Sequence, residues 1–234
     1  MLVEGTSASD IGDVPWDDDA HEANRAAIRH ACESVLAAGA VPVVLGGDDS
    51  IPIPVLQAYA GRGPVTVVQI DAHIDWRDEV GGERLGLSST MRRASELEGV
   101  SPIVQVGQRS SGSARSSDRD DAVAAGVLFV SAREVHAHGI GAAVAAIPEG
   151  ARVLVALDVD GFDPAVVPAV IGPAPGGLTY WQVVDLIHGV AARARIVGFN
   201  CVELVPGRDR DGLSALTVGR VVANVIGVVA RQRA

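Results

Sequence analysis

Val67-Val68-Gln69-Ile70-Asp71-Ala72-His73-Ile74-Asp75 carries an apolar, β-branched run directly into three metal-competent side chains spaced two residues apart. Alternate residues of an extended chain share a face, so Asp71, His73 and Asp75 are set to project together. The pattern recurs at Val153-Leu154-Val155-Ala156-Leu157-Asp158-Val159-Asp160, which is followed by Gly161-Phe162-Asp163-Pro164. Two strand ends therefore offer five ligands, four carboxylates and one imidazole. That set suits a hard or borderline divalent ion such as manganese better than a closed thiolate zinc site. Carboxylates crowded without compensation raise one another's pKa, so the pattern calls for cations. With Asp71, Asp75 and Asp158 bridging and His73 and Asp160 binding terminally, two metals can share one water and lower its pKa.

Around these two segments, short β-branched runs alternate with periodic apolar stretches from about residue 20 onward, the signature of repeated β-α units and a parallel sheet. Strands are expected at 41–45, 65–70, 103–106, 127–130, 152–158 and 195–200. Helices are expected near 20–38, 52–60, 88–98, 119–125, 132–146, 180–193 and 213–231, with Asp17 to Asp19 as the acidic first turn of the opening helix. A length of 234 residues fits one domain, 1–234, with no linker and no internal repeat. Aromatic residues are only 3% against 48% apolar, so the core must be built from Val, Ala, Leu and Ile, as in a sheet covered on both faces.

Nineteen basic residues against 29 acidic give a net charge of −10, which disfavours nucleic acid as a partner and suits a small cation. Cys32 and Cys201 form no C-x-x-C motif and read as buried, reduced thiols. Met1-Leu2-Val3-Glu4-Gly5 has neither a basic start nor an apolar core, and no run reaches the roughly 18 apolar residues of a membrane span, so a cytoplasmic protein is expected.

Ligands of open α/β sheets lie beyond the carboxyl ends of the strands, here near residues 45, 70, 158 and 200. The loops at 77–88, 107–118 and 161–178 are expected to wall the pocket. Trp76 and Arg77 are placed at its mouth, with Trp76 as a substrate contact. His136 and His138 should face solvent, because i and i+2 do not share a helical face. Asp118 to Asp121, with Arg115 and Arg119, read as a solvated charged face.

Five motifs together resemble the ureohydrolases, the arginase and agmatinase family. They are Gly46-Gly47-Asp48-Asp49-Ser50, Asp71-Ala72-His73-Ile74-Asp75, Leu157 to Pro164, Gly176-Gly177-Leu178-Thr179 and Val202-Glu203-Leu204-Val205-Pro206. The resemblance runs from about Val41 to Pro206 and points to the agmatinase-like branch. It implies a three-layer α/β/α sandwich with a mostly parallel sheet, two manganese ions per subunit, and hydrolysis of a small linear guanidino compound to urea and an amine. It further implies Asp71, His73, Asp75, Asp158 and Asp160 as metal ligands, Asp75 and Glu203 as catalytic residues, Glu203 as the carboxylate that grips the guanidinium, and a homo-oligomer, trimeric or hexameric. A carboxylate paired with a planar guanidinium forms two parallel charge-assisted hydrogen bonds, which fixes the central carbon for attack. The net acidity favours a cationic guanidino amine such as agmatine, with a guanidino acid such as guanidinobutyrate as the other substrate class.

Departures from the family pattern shape further expectations. Asp49 stands where the family's Gly-Gly-Asp-His-Ser motif has a metal-binding histidine, and is read as a sixth metal ligand. The exchange makes the site one charge more negative, predicting an alkaline pH optimum; Asp49→His should move the pH–rate profile to lower pH, and an unmoved profile would contradict this. Leu87 and Ser88 occupy the place of a His-Gly pair, so a proton shuttle worth about 10² to 10⁴ in rate is expected to be absent. Asn200 replaces an aspartate, and the chain is expected to lack the family's first β-α unit unless Met1 is not the true start. Two other readings fit the same residues. One is a catalytically silent ureohydrolase paralogue serving as a binding or partner subunit; the other is a mononuclear zinc deacetylase-like hydrolase with Asp71, His73 and Asp158 around one ion.

Overall fold

The computed structural model describes residues 4–109 and 114–233. Residues 1–3, at the start of the segment expected to hold no leader, residues 110–113 of the expected 107–118 wall, and residue 234 lie outside the described residues. Six strands, β1 (Val43–Leu45), β2 (Val65–Ile70), β3 (Val100–Val106), β4 (Leu128–Val130), β5 (Arg152–Asp158) and β6 (Arg195–Val202), form one sheet in the order β1-β6-β5-β2-β3-β4. Every neighbouring pair is parallel. Parallel strands need crossovers, supplied by α2 (Pro52–Gln57), α3 (Thr90–Ser95), α4 (Ser116–Ala124), α5 (Ala132–His138), α6 (Gly141–Ala145) and α7 (Tyr180–Arg193), while α1 (His21–Ala37) precedes β1 and α8 (Leu213–Arg233) follows β6.

Strand alternation divides the core into two layers. Val68, Ile70, Val153, Val155 and Leu157 face one way and pack with Leu186, Ile187 and Val190 of α7 and Val221 and Val225 of α8. Val65, Val67, Leu154 and Ala156 face the other way, against Ile28 and Cys32 of α1, Val55 and Leu56 of α2 and Met91 of α3. Fully burying a Val or Leu side chain contributes about 1.5–3 kcal/mol, so these two layers dominate the folding free energy. The result is the expected three-layer α/β/α sandwich.

Local sequence explains where the elements begin and end. Ile28 and Cys32 recur four residues apart and give α1 its buried stripe. Asp17 to Asp19 are not its first turn, as expected from charge alone. Asp17 N–H donates to Asn24 Oδ1 at 3.1 Å, and Asn24 Nδ2 donates back to Asp17 O at 2.6 Å, closing a turn ahead of the helix. The single helix expected over 132–146 is two, because Gly139 at φ 75 ends α5. Ser131 with Glu134, and Thr179 with Gln182, form reciprocal capping boxes that start α5 and α7. Helix α8 passes the length and hydropathy test for a membrane span, mean hydropathy 1.8 over Leu213–Gln232, which the apolar-run criterion missed. Half of that stretch is buried, with Val221, Val225 and Val228 against the sheet, as a core helix requires. Both cysteines are buried and free, as expected.

Candidate metal centre

Strands β1, β2, β5 and β6 all end at one cleft of about 600 Å³. Its floor is acidic: Asp49, Asp75, Asp158, Asp160 and Glu203 line it together with His73. Asp71 lies beneath, fully buried. Two glycines permit this packing. A side chain at Gly161 would meet Asp71 N at 2.9 Å, and one at Gly107, where φ is +105°, would meet Asp71 O at 2.8 Å. The loops after β3 and β5 thus press directly on the Asp71 backbone.

Ligand atoms of Asp71, His73 and Asp160 lie within 4.8 Å of one another, and so do those of Asp49, Asp71 and Asp158. The two triples share Asp71. Asp75 stands outside both and beside them, since Gln69 Nε2 donates to Asp71 Oδ2 at 2.6 Å and to Asp75 Oδ2 at 3.0 Å. Backbone amides fix the remaining carboxylates: Ala72 N–H donates to Asp160 Oδ1 at 3.1 Å and Asp160 N–H to Asp158 Oδ1 at 2.7 Å. His73 Nδ1 lies 3.0 Å from Asp160 Oδ2. Both carboxylate oxygens of Asp49 are buried and have no hydrogen-bond partner. Orphaned buried oxygens are costly unless a ligand completes them, and a divalent cation is the group that would do so.

Electrostatics support the same conclusion. Burial raises Asp49 well above the usual carboxylate range, and the charges of Asp75 and Asp71 raise it further. Asp71, Asp75 and Asp158 are raised for the same reasons, burial first and neighbouring carboxylates second. Asp160 is the exception: burial pulls it up, but the His73 hydrogen bond and charge hold it below the usual value. His73 is raised reciprocally by its hydrogen bond to Asp160.

Glu203 sits at the rim of this cluster, buried, with φ 69. Asp75 is likewise left-handed at φ 45. Non-glycine residues in that region are uncommon and concentrate at functional sites, where surrounding structure holds them in place. Glu203 N–H donates to Gly47 O at 2.9 Å, and Asp49 N–H donates to Glu203 Oε1 at 3.0 Å, so the strand-end loops after β1 and β6 lock each other. Burial raises the Glu203 carboxyl, opposed by the Asp49 N–H.

Trp76 and Arg77 both line the cleft, as do Leu87 and Ser88, where an acid–base histidine was expected to be absent. Residues 171–174 supply the third wall. The expected solvated face at 118–121 needs correction at one position. Asp118 is buried and lines the cleft, because its place as the third residue of α4 turns its carboxylate back onto Arg115 N–H at 2.9 Å. His136 is exposed as expected, though its Nε2 also reaches Gly177 O at 2.8 Å.

Sequence reasoning missed Gln69, Gln105 and Arg109. Gln105 Nε2 donates to Gln69 Oε1 and to Ile74 O at 3.0 Å, while both glutamines are fully buried. The signal was present: each is a lone amide inside a buried apolar strand, and burial of an amide demands partners. Arg109 spreads its guanidinium over the carbonyls of Ala174, Asp160 and Phe162, tying the 160–162 turn to the wall. Removing the amide at Gln69→Leu takes the donor from Asp75 Oδ2 and from Asp71 Oδ2, leaving Asp71 only the His73 N–H on its other oxygen. We expect manganese affinity to fall about 10- to 100-fold, as for loss of other outer-shell partners, measured by calorimetric titration.

Known proteins resemble this chain in sequence and in fold. Residues 2–227 match the arginase family model. The N(1)-aminopropylagmatine ureohydrolase of Thermus thermophilus is 33% identical, with 97% of this chain and 78% of that protein covered. The guanidinobutyrase of Pseudomonas aeruginosa is 32% identical, over 97% and 72%. Among solved structures, the proclavaminate amidino hydrolase of Streptomyces clavuligerus superposes with a TM-score of 0.81 at 28% identity, covering 93% of this chain and 73% of that one.

Proposed function

From the premise that the chain belongs to the arginase family, we propose that this hydrolase cleaves the guanidino group of a small linear compound to urea and an amine, using two manganese ions. The observation that carries the reading is the pair of carboxylate-rich triples sharing Asp71, one of them containing the unpartnered Asp49, with Glu203 alongside. The donor set fits hard divalent ions. Asp71, His73 and Asp160 would hold one, Asp49, Asp71 and Asp158 the other, and Asp75 would close the site between them. Bound there, the ions supply Lewis acidity and water activation.

The protein's own groups supply position. Glu203 presents its carboxylate to the guanidinium, with Oε1 held by the Asp49 amide. The charged pair is formed in a buried site, where it orients the guanidino carbon over the acidic floor. Asp75 is the group placed to take up the proton released as water adds. The C–N bond to the amine then breaks as the amine nitrogen gains a proton from solvent, since Leu87 and Ser88 offer no general acid there. The water oxygen leaves in urea as its second proton passes to solvent, and Asp75 gives up its proton to regenerate the site while the free amine is protonated. Trp76, buried at 3% exposure, forms an apolar wall for the substrate chain.

The names of the relatives support a guanidino substrate, and the two overlapping triples favour two ions over a single zinc. The same reading places the protein in the cytoplasm as a homo-oligomer, with β1 at the sheet edge and Leu45 exposed there. Urea release from agmatine, arginine or guanidinobutyrate by manganese-loaded protein tests the reaction. Deacetylation of an acetylated polyamine with one zinc bound would instead support the mononuclear reading.

A further inference from the structure

Beyond the acidic floor, the cleft carries only three polar side chains among the described residues: Arg77, Ser88 and Asp118. Its remaining walls are apolar or backbone. Arg77 is the one cation among the described residues that line it. Resting on the hydrolase reading above, we propose that Arg77 binds a carboxylate at the far end of the substrate, so that the protein prefers guanidino acids to guanidino amines.

The contacts of the Arg77–Asp118 pair argue for this choice. Asp118 is committed: its Oδ2 accepts from Arg115 N–H at 2.9 Å and lies 2.9 Å from Arg77 Nη1, and its side chain is 8% exposed. Its burial and its pairing with Arg77 leave little of the carboxylate's surface or charge for an incoming ammonium. Arg77 is less satisfied. Its Nη1 is buried, close to Asp118 but without an aligned hydrogen bond, and its Nε and Nη2 have no hydrogen bond among the described residues. The main chain sets it in place, with Arg77 N–H donating to Ser88 O at 2.9 Å.

A guanidinium with free donors offers the fork geometry that carboxylates match in two parallel bonds. An ammonium in the same position would meet a like charge, which is discrimination by repulsion as well as attraction. The net charge of −10 points to a cationic substrate, but that field acts on approach; the end of the cleft is read by its own side chains.

The test compares 4-guanidinobutyrate with agmatine on manganese-loaded protein, as kcat/KM for urea release and as binding by calorimetry. Arg77→Met and Arg77→Lys are measured beside the wild type. We expect guanidinobutyrate to be preferred, and Arg77→Met to lower its kcat/KM and affinity roughly 10- to 150-fold, the range for a hydrogen bond to a charged group. Agmatine should change little or improve, and Arg77→Lys should restore part of the preference. Preference for agmatine, or an acid-to-amine ratio that Arg77→Met leaves unchanged, would overturn the proposal. Absence of urea from either compound would count against the hydrolase reading alone. Calorimetry still decides in that case: Arg77-dependent binding of the acid sustains the recognition, and no such binding ends it.

Discussion

Glu203→Gln should lower kcat/KM for the preferred guanidino substrate by roughly 30- to 5,000-fold, corresponding to about 2–5 kcal/mol for loss of one partner of a buried hydrogen-bonded charge pair. The substitution is chosen because it spares the fold. A glutamine carbonyl can still accept from Asp49 N–H, now at 3.0 Å from Glu203 Oε1, and the left-handed backbone at φ 69 is untouched. What is lost is the negative charge facing the guanidinium. Because the pairing holds substrate in both the ground and transition states, most of the effect should fall on KM, with kcat reduced by whatever misorientation follows. Steady-state kinetics against the wild type at saturating manganese decides it. A variant with unchanged kcat/KM would remove Glu203 from substrate recognition.

The second large effect is on stability. Manganese at a hundredfold excess over its dissociation constant should stabilise the fold by about 2.7 kcal/mol per ion. For a chain of this length that is a rise in Tm of about 5–11 °C per ion, read by differential scanning calorimetry. At a fixed manganese concentration, the gain should grow with pH, because the dissociation constant falls as the ligands lose their protons. In the metal-free protein burial and mutual repulsion raise Asp49, Asp71, Asp75 and Asp158 well above the usual carboxylate range. Once pH exceeds about 4, the unfolded chain has released protons that the folded chain still holds. Stability from these groups is therefore present at acid pH and lost as pH rises toward their folded values. Cations replace those protons, so loading should raise Tm more at pH 8 than at pH 5. Equal increments at both pH values would show that the four carboxylates do not form the ion site.

Much of this site was legible because ligand geometry is written into short-range spacing. Asp71 and His73, and Asp158 and Asp160, lie two apart where a buried strand ends, and strand ends of a parallel sheet converge. Glu203 and Asp49 came instead from resemblance, and the structure brings them together through the Asp49 amide. What escaped the sequence depends on contacts between distant residues. Gln69 and Gln105 are register partners on adjacent strands, and nothing in either segment alone names the other. Asp118 looked like one charge in a solvated run until its helix turned it inward toward Arg77. The break at Gly139 shows the same limit on a smaller scale, because the apolar pattern runs through both helices and only the positive φ separates them. Asn200 has no structural explanation: both its amide atoms are buried without partners, two register rows below Asp158 and beside Ala156.

The most direct test of a two-ion guanidino hydrolase is manganese-dependent urea release, measured in one preparation with the bound metal counted, for wild type and Asp158→Asn. The panel is agmatine, arginine, guanidinobutyrate, guanidinopropionate and free guanidine. The account predicts two manganese ions per chain and urea from at least one compound in the wild type, with urea abolished in Asp158→Asn. Folded wild-type protein that holds two ions and releases no urea from any of them, or urea release that survives Asp158→Asn, would contradict it.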